Sequence, residues 1–354
     1  MTVRVVHWGT GGTGRAGLRG IIGHPDLELV GLVVERPENV GRDAGEICGL
    51  PDTGIKATAS AADALALNPD CLAYFGSGVA NPALGIGNIR PFLEAGVDVV
   101  TTSFAMLVHP KYAAEEHRLP IEQACQKGGT TFFTTGVEPG LASDIMPIAM
   151  LAGVERLDSI RVTEISTYAY YPVEYTQRTM FGFGHPLSYE PPLVQGNRMT
   201  ESWGPVVKGL ADAVGVKLDG LRQWHEFGTT SRDLDTAFGR VEAGTRSAVR
   251  LAVEGMYGGK PIVALEHVNY LSEEMPESWP RPKLGNHTAY RIEIAGRPAG
   301  KLELAYDLVD GVEQAIIVTA MRAINAIPAV LAASPGALEP HDVAPLFSGH
   351  IRPR

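Results

Sequence analysis

The chemistry encoded most clearly near the start of the chain is the binding of phosphate groups. The segment Gly9-Thr10-Gly11-Gly12-Thr13-Gly14 directly follows the apolar run from Val3 to Trp8 and has the pattern G-x-G-x-x-G. The first glycine of this pattern allows a tight turn, the second lets the backbone approach a pyrophosphate, and the third permits close packing of helix on strand. The unpaired N–H groups at the start of the following helix attract the phosphates. These residues predict a dinucleotide site.

Glu35 and Arg36 end the second apolar run of the chain, at 27–34. An acidic residue at this position accepts hydrogen bonds from the ribose hydroxyls of NAD, whereas an arginine pairs with the 2′-phosphate of NADP. Two solvated charges at a strand end are the structural alternative. Because both residue types are present, we predict NAD or NADP as the cofactor without a choice between them.

Glu138 and His109 are the candidates for proton transfer. A carboxylate in a partly apolar pocket suits this work, because burial raises its pKa towards the working pH and its charged form stabilises a nearby cation. Imidazole is the side chain that generally exchanges a proton near neutral pH, which makes His109 the second candidate. The structural alternatives are a turn residue for Glu138 and a helix cap, just before Pro110, for His109.

The elements that must position these residues alternate between strand and helix up to about residue 140. Buried strands are predicted at 71–75, 97–102 and 130–135, with helical segments between them. Ligands of an open parallel sheet bind outside the carboxyl ends of its strands. We therefore expect the chemistry in the loops 76–81, 102–110 and 136–144. Within these loops, the residues predicted to contact the cofactor are Gly76, Ser77, Thr102 and Ser103.

Beyond residue 150 the sequence changes to the alternating apolar pattern of antiparallel hairpins. The alternation occupies 160–168, 249–253, 290–294 and 302–308, with turn residues at 258–261 and 296–298. Helical spacing returns at 312–327, and Pro328 is expected to kink or end that helix. The predicted fold class is therefore α/β, with an N-terminal Rossmann-type parallel sheet followed by a second α+β domain on a largely antiparallel sheet.

Two domains follow from this pattern. Residues 1–145, joined by the C-terminal helix and tail at 312–354, are predicted to bind the dinucleotide, and residues 146–311 are predicted to bind the substrate. The segments 172–204 and 272–287 are rich in Pro, Gly and aromatic residues and are expected to be lids or site walls. The side chains predicted to line the substrate pocket are Phe104, Tyr168, His185 and His267. A core or loop role is the structural alternative for each.

Composition favours a cytoplasmic enzyme acting on a small molecule. The net charge of −10 over 354 residues provides no basic face for a phosphate backbone, so nucleic acid is not an expected partner. The three cysteines are far apart and have no C-x-x-C spacing, which predicts no metal site and a reducing compartment. The chain has no signal-peptide pattern at its N-terminus and no uninterrupted apolar stretch of membrane-spanning length, so no membrane association is expected.

Several motifs carry a family resemblance. The segment from Glu35-Arg36 through Gly41-Arg42-Asp43-Ala44-Gly45-Glu46 resembles the dihydrodipicolinate reductases. Over its full length the chain more closely resembles the 2,4-diaminopentanoate dehydrogenases and native amine dehydrogenases. The matching landmarks are the segment 135–140 with Asp144, similar to G-T-G-V-N-P-G…D, and the segment 322–330, similar to R-x-V-N-A-I-P-x-V.

The resemblance implies hydride transfer between a nicotinamide and the C–N carbon of a small, mainly apolar amine or imine. It also implies a homodimer and places Asn325 on a helix that approaches the cofactor, where its amide in an apolar helix face needs a partner. Two departures stand out. The H-H-x-x-K and D-A-P-S-G-T motifs of the reductases are absent from this chain. The segment 102–108 lacks the glutamate that acts as the base in amine dehydrogenases. Glu138, in turn, occupies a position where that group usually has asparagine.

The missing glutamate leaves three functions open: an amine dehydrogenase, a reductase of a C=O or other C=N substrate, and a nucleotide-responsive binding protein without turnover.

Overall fold

The computed structural model describes residues 2–78, 81–284, 287–309 and 312–343. The chain divides into two compact units. Unit 1 contains the residues up to Leu141 and those from Ile316 onward, and unit 2 is Ala142–Ala315. The sequence predicted division after residue 145 and return at residue 312. The predicted tail residues 344–354 and residues 79–80 of the predicted loop 76–81 lie outside the described residues.

Short strands alternate with helices in the N-terminal part of unit 1. In chain order these elements are β1 (Val3–Trp8), α1 (Gly12–Ile22), β2 (Leu27–Val33), α2 (Ala44–Cys48), β3 (Ala57–Thr58), α3 (Ala61–Leu65), β4 (Cys71–Tyr74), α4 (Pro82–Glu94), β5 (Asp98–Thr101), α5 (Glu115–Gly128) and β6 (Thr131–Thr134). The sequence predicted this alternation but not α2 or β3, because elements of five and two residues are too short to show a period.

Unit 2 is built mainly from long strands. In chain order its elements are α6 (Ile145–Leu151), β7 (Arg156–Thr167), α7 (Arg198–Ala213), β8 (Gly220–Thr229), β9 (Leu234–Thr236), β10 (Gly239–Val241), β11 (Arg246–Tyr257), β12 (Lys260–Tyr270), β13 (Thr288–Arg297), β14 (Gly300–Tyr306), β15 (Leu308–Val309) and β16 (Val312–Glu313). Its main sheet has the order β14-β13-β7-β12-β11-β8.

The predicted hairpins of unit 2 are present. The turn between β11 and β12 has Gly258 and Gly259 at φ +57° and +77°, the left-handed conformation that a tight two-residue hairpin requires. One pair in this sheet is parallel, because β12 pairs with β7 over Ile160–Thr167. The sheet is therefore largely, but not wholly, antiparallel.

The C-terminal segment completes unit 1 with α8 (Gln314–Ile324), α9 (Ile327–Ala332) and β17 (Gly336–Ala337). The break between the two helices lies ahead of Pro328, as predicted, and Pro328 occupies the first turn of α9, where its missing N–H has no cost. The sheet of unit 1 has seven strands in the order β17-β6-β5-β4-β1-β2-β3. Every pairing in it is parallel, so the Rossmann-type fold is confirmed.

Apolar side chains cover the unit 1 sheet in two main clusters. One contains Trp8, Tyr74, Phe92, Phe104 and Phe132, and the other contains Ile21 and Phe133 with residues from the end of α8 and from α9. Among the described residues, the stretch Gln314–Ala332 is long and apolar enough by length and composition to span a membrane, although Arg322 and Asn325 interrupt its apolar run. Its buried Ile324, Ile327 and Val330 pack in the second cluster.

Candidate active site

The glycine loop of unit 1 has the close approaches that the sequence predicted. Gly9 has φ +104°, and a Cβ at this residue would lie 2.5 Å from the carbonyl oxygen of Phe75. A Cβ on Gly14 would lie 2.3 Å from the carbonyl oxygen of Gly9. Both positions therefore exclude any side chain, which holds the start of α1 against the ends of β1 and β4.

The start of α1 has open space where a phosphate would be bound. A Cβ on Gly11 would meet no atom of the described residues within 4 Å, and Gly11 and Gly12 are exposed. Among the residues that the structure describes, no side chain caps the helix, and its first turn contains no acidic residue. The N–H groups of this turn are thus directed at a position that an anion can occupy. Gly9, Thr10, Gly11, Gly12, Thr13 and Gly14 therefore fit the pyrophosphate of a dinucleotide.

Glu35, Gly76, Ser77 and Ser103 meet at the carboxyl edge of the same sheet. The Ser77 hydroxyl and backbone N–H donate to the Glu35 carboxylate at 2.5 and 3.2 Å. The Ser103 hydroxyl donates to the carbonyl oxygen of Gly76 at 2.9 Å. The structure therefore brings together predicted residues from three separate loops.

A polar chain that the sequence reasoning missed borders the glycine loop. The Asn39 amide donates to the Thr10 hydroxyl at 3.1 Å and accepts from the Arg42 guanidinium at 2.9 Å. Arg36 and Arg42 are exposed. Asn39 thus connects Arg42 to Thr10 of the glycine loop. Only Arg36 of these two arginines was identified as a site residue from the sequence.

Phe104 and Asn325 differ from the other predicted site residues in their surroundings. Phe104 is fully buried and stacks on Tyr74 with ring centroids 6.0 Å apart, so it belongs to the core of unit 1. Along α8, Ile316 lies beside Gly12 and Met321 beside Gly20, so the helix runs in the same direction as α1. Asn325 directly follows α8, at the end of that helix that lies away from the glycine loop. The Asn325 Oδ1 is buried and accepts no hydrogen bond from the described residues.

Glu138 and His109 lie in different surroundings within unit 1. Glu138 is half-buried in the irregular turn Val137–Leu141 and precedes a cis peptide bond to Pro139. His109 is 4% exposed, and its Nδ1 lies 2.9 Å from the Glu339 carboxylate. This contact gives the His109 imidazole a structural partner in the C-terminal segment. Thr102 is half-buried and directly follows β5.

In unit 2, His267 and Tyr168 gather around a buried carboxylate. Glu164 on β7 and His267 on β12 are register partners, with Oε1 of Glu164 3.6 Å from Nδ1 of His267. The Tyr168 hydroxyl and the Asn269 amide donate to the same Oε1 at 3.0 and 2.8 Å. The ring of Trp203 lies 4.4 Å from that of His267, centroid to centroid.

The pKa of Glu164 is lowered although burial acts to raise it. The approach of His267 and the hydrogen bonds from Asn269 and Tyr168 favour the ionised form more strongly than burial disfavours it. The sequence reasoning identified His267 and Tyr168 but missed Glu164. The alternation of side chains along β7 could have identified it, because Glu164 lies on the same face of the strand as the apolar Ile160 and Val162.

His185 lies in a loop that ring stacking and hydrogen bonds hold in place. Its ring stacks on Tyr189 at 4.2 Å between centroids, and burial, with Arg178 and Arg246 nearby, lowers its pKa. The fully buried Arg246 donates to the carbonyl oxygens of Phe181 and Tyr189 at 3.1 and 2.7 Å.

The parallel sheet of unit 1 with its glycine loop, followed by the α+β fold of unit 2, defines an NAD(P)-dependent oxidoreductase. Residues 144–347 match the family model of the 2,4-diaminopentanoate dehydrogenase C-terminal domain. The chain belongs to the family of amine and 2,4-diaminopentanoate dehydrogenases, which confirms the resemblance stated from its motifs.

Individual relatives agree with this assignment. An amine dehydrogenase of Streptomyces virginiae is 32% identical, with 96% of each chain covered. A 2,4-diaminopentanoate dehydrogenase of Acetoanaerobium sticklandii is 23% identical over 70% of this chain and 67% of its own. Among solved structures, the amine dehydrogenase of Mycobacterium smegmatis shares the fold with a TM-score of 0.81 and 19% identity, covering 98% of this chain and 97% of its own.

Proposed function

We propose that this protein is an amine dehydrogenase that interconverts a small, mainly apolar ketone and its primary amine, with NAD or NADP as the cofactor. The observation that carries the proposal is the 32% identity to an amine dehydrogenase over 96% of both chains. The residues at the carboxyl edge of the unit 1 sheet support it, because they fit a dinucleotide.

When bound, the nicotinamide cofactor supplies or accepts the hydride. In the reductive direction, a ketone, ammonia, NAD(P)H and one proton give an amine, NAD(P)⁺ and water. The glycine loop 9–14 would hold the pyrophosphate. Glu35 and Arg36 would bind the adenosine ribose, and Gly76, Ser77, Thr102 and Ser103 would border the rest of the cofactor.

We propose Glu138 as the group that removes the proton from the attacking nitrogen and stabilises the iminium cation, since the segment 102–108 offers no carboxylate. His109 is the second candidate in unit 1. Because its imidazole contacts Glu339, proton transfer by His109 would require exchange of that contact. Glu138→Gln is expected to abolish most ammonia-dependent turnover, and His109→Gln mainly to lower the Tm.

The test follows NAD(P)H absorbance with simple aliphatic ketones plus ammonia, with the same ketones alone, and with ammonia alone. We expect oxidation of NAD(P)H only when ketone and ammonia are both present. Oxidation with ketones alone would instead support a carbonyl reductase, which the absence of a carboxylate at 102–108 favours. Tight NAD(P)H binding with no oxidation under any condition would support a nucleotide-responsive binding protein.

We further propose a cytoplasmic homodimer that forms through the unit 2 sheet. The family resemblance supports this, and the partly exposed Arg161 and Arg250 mark the sheet face that we propose for the contact. Light scattering coupled to gel filtration should give twice the mass of the 37.8 kDa chain. A monomer at micromolar concentration would contradict the proposal.

A further inference from the structure

The Glu164–His267 pair of unit 2 has a geometry that sheet packing alone does not require. Both residues project from the face of the sheet that α7 covers, where Trp203 stacks on the imidazole. Glu164 is 6% exposed and His267 is 3% exposed. Burying an ionisable pair destabilises a fold unless hydrogen bonds compensate for the lost hydration, so apolar residues would stabilise this position more simply.

The contacts of this pair favour a protonated imidazole. The Glu164 carboxylate lies 3.6 Å from Nδ1 of His267, in surroundings where water cannot screen the attraction. Tyr168 and Asn269 keep that carboxylate ionised by donating to Oε1. The indole of Trp203, 4.4 Å away, lies within the distance at which an aromatic ring attracts a cation.

The proposed function contains a step that needs such an acid. Ammonia adds to a ketone to form a carbinolamine, R₂C(OH)NH₂, and this intermediate must lose its hydroxyl group before hydride can be transferred to carbon. Hydroxide is a poor leaving group, so the oxygen must receive a proton as the C–O bond breaks. A carboxylate that stabilises the iminium, as proposed for Glu138, is ionised and cannot donate this proton at the same time.

We propose that His267 is the general acid that expels this hydroxyl group as water, and that Glu164 positions and charges its imidazole. The proposal rests on the proposed function. In the step, the imidazolium N–H bond breaks and its proton goes to the hydroxyl oxygen. The C–O electron pair leaves with that oxygen as water, and the nitrogen lone pair forms the C=N bond. The imidazolium and the neutral carbinolamine thus give a neutral imidazole, water and R₂C=NH₂⁺.

A preformed imine separates this step from the rest of the reaction, because it carries no hydroxyl group to expel. The variants are His267→Gln and Glu164→Gln, both close in shape to the native residues. Their matched controls in the same sheet are His225→Gln, on an exposed residue, and Glu293→Gln, on a residue paired with Lys301. Each is assayed with pentan-2-one plus ammonia and with 2-methyl-1-pyrroline, and NAD(P)H binding is titrated by fluorescence to show that unit 1 is intact.

We expect His267→Gln to lower kcat/KM for ketone plus ammonia by about 10²-fold or more, with a smaller loss for Glu164→Gln and near-normal reduction of the cyclic imine by both. The controls should retain both activities. Equal losses of the two activities in His267→Gln, or no loss of either, would overturn the assignment. If the wild type shows no ammonia-dependent oxidation at all, it is the proposed function that fails.

A second measurement covers the case in which the wild type does not accept the cyclic imine. With NAD(P)H deuterated at the transferred position, slow dehydration makes hydride transfer less rate-limiting. The deuterium isotope effect on kcat/KM should therefore be smaller in His267→Gln than in the wild type. An isotope effect that stays the same or increases would refute the role of His267 in dehydration.

Discussion

The hydroxyl of Ser77 donates to the carboxylate of Glu35 at 2.5 Å, which joins the loop after β4 to the end of β2 across the glycine loop that follows β1. The carboxylate expected to accept the ribose hydroxyls of NAD therefore already has a partner in the protein. Binding of the ribose must replace or share this hydrogen bond. Ser77 thus keeps Glu35 in position while contributing no charge of its own.

Cofactor preference should respond in opposite directions to changes at Glu35 and Arg36. Glu35→Gln removes the charge that attracts ribose hydroxyls and repels a 2′-phosphate, so we expect about tenfold weaker binding of NADH and little loss for NADPH. Arg36→Ala should weaken NADPH more than NADH, and the effect should diminish at high salt. Fluorescence titration with both cofactors measures the four Kd ratios. Equal changes in the Kd values of NADH and NADPH would show that neither side chain distinguishes a 2′-hydroxyl from a 2′-phosphate.

Alanine at two glycines should separate cofactor binding from folding. The methyl group of Gly11→Ala meets no atom of the described part of the chain within 4 Å, so the variant should unfold at the wild-type Tm. It should bind NAD(P)H at least about tenfold more weakly, because that methyl group occupies the space through which the phosphate approaches the backbone. Gly14→Ala places Cβ 2.3 Å from the carbonyl oxygen of Gly9 and should lower the Tm as well.

Gly87→Ala in α4 is the matched control for these glycine variants. Its Cβ also meets nothing within 4 Å, and alanine is favoured in a helix, so a gain of about 0.5–1 kcal/mol is expected in urea unfolding. Unchanged NAD(P)H affinity in Gly11→Ala would contradict the location of the phosphate site.

Asp43 should contribute to stability in a pH-dependent way. Its carboxylate accepts from the backbone N–H groups of Thr53, Gly45 and Gly54, and these bonds lower its pKa from 3.8 to about 2. Because the folded-state pKa is depressed, this stabilisation is present above pH 3.8 and is lost as the pH falls towards 2.

The Tm difference between wild type and Asp43→Asn should therefore be largest near neutral pH and should decrease as the pH falls from 3.8 towards 2. Thermal unfolding followed by circular dichroism from pH 7 to pH 2 measures the difference. The same change at the exposed Asp63 is the control. A difference that stays constant with pH would show that the carboxylate charge makes no contribution.

Arg246 should govern the order of the loop between Phe181 and Tyr189. Its guanidinium packs 3.6 Å over the ring of Phe227 and donates to two carbonyl oxygens of that loop, while burial lowers its pKa to about 10. Arg246→Met should cost about 2–4 kcal/mol and expose the loop to proteolysis.

Arg246→Lys should recover little of this loss, because an ammonium group cannot reproduce the planar fork of donors. Limited proteolysis with identification of the cut sites reads out the loop directly, and Arg240→Met, at an exposed arginine of the same unit, is the control. Protection of the loop in Arg246→Met would mean that the aromatic stacking of His185 on Tyr189 is sufficient to hold it.

The sequence by itself determined the Rossmann-type sheet, the glycine loop and the hairpins of unit 2. Each depends on a local signal: the spacing of three glycines, a period of two along a strand, or a pair of residues such as Gly258-Gly259 that must adopt positive φ. Pro328 likewise marked the break between α8 and α9 through its own covalent geometry. The family motifs at 135–144 and 322–330 were readable for the same reason.

Only the tertiary structure decided which polar residues meet. Glu164 and His267 are 103 residues apart in sequence and become neighbours through the parallel pairing of β7 with β12, which no local period encodes. His109 acquires Glu339 as a partner in the same way, and Asn325 is carried away from the glycine loop by the direction of α8 along α1. Periodicity fixes which face of an element a side chain occupies, but strand order and helix direction arise from packing between distant segments, and they decide what that face meets.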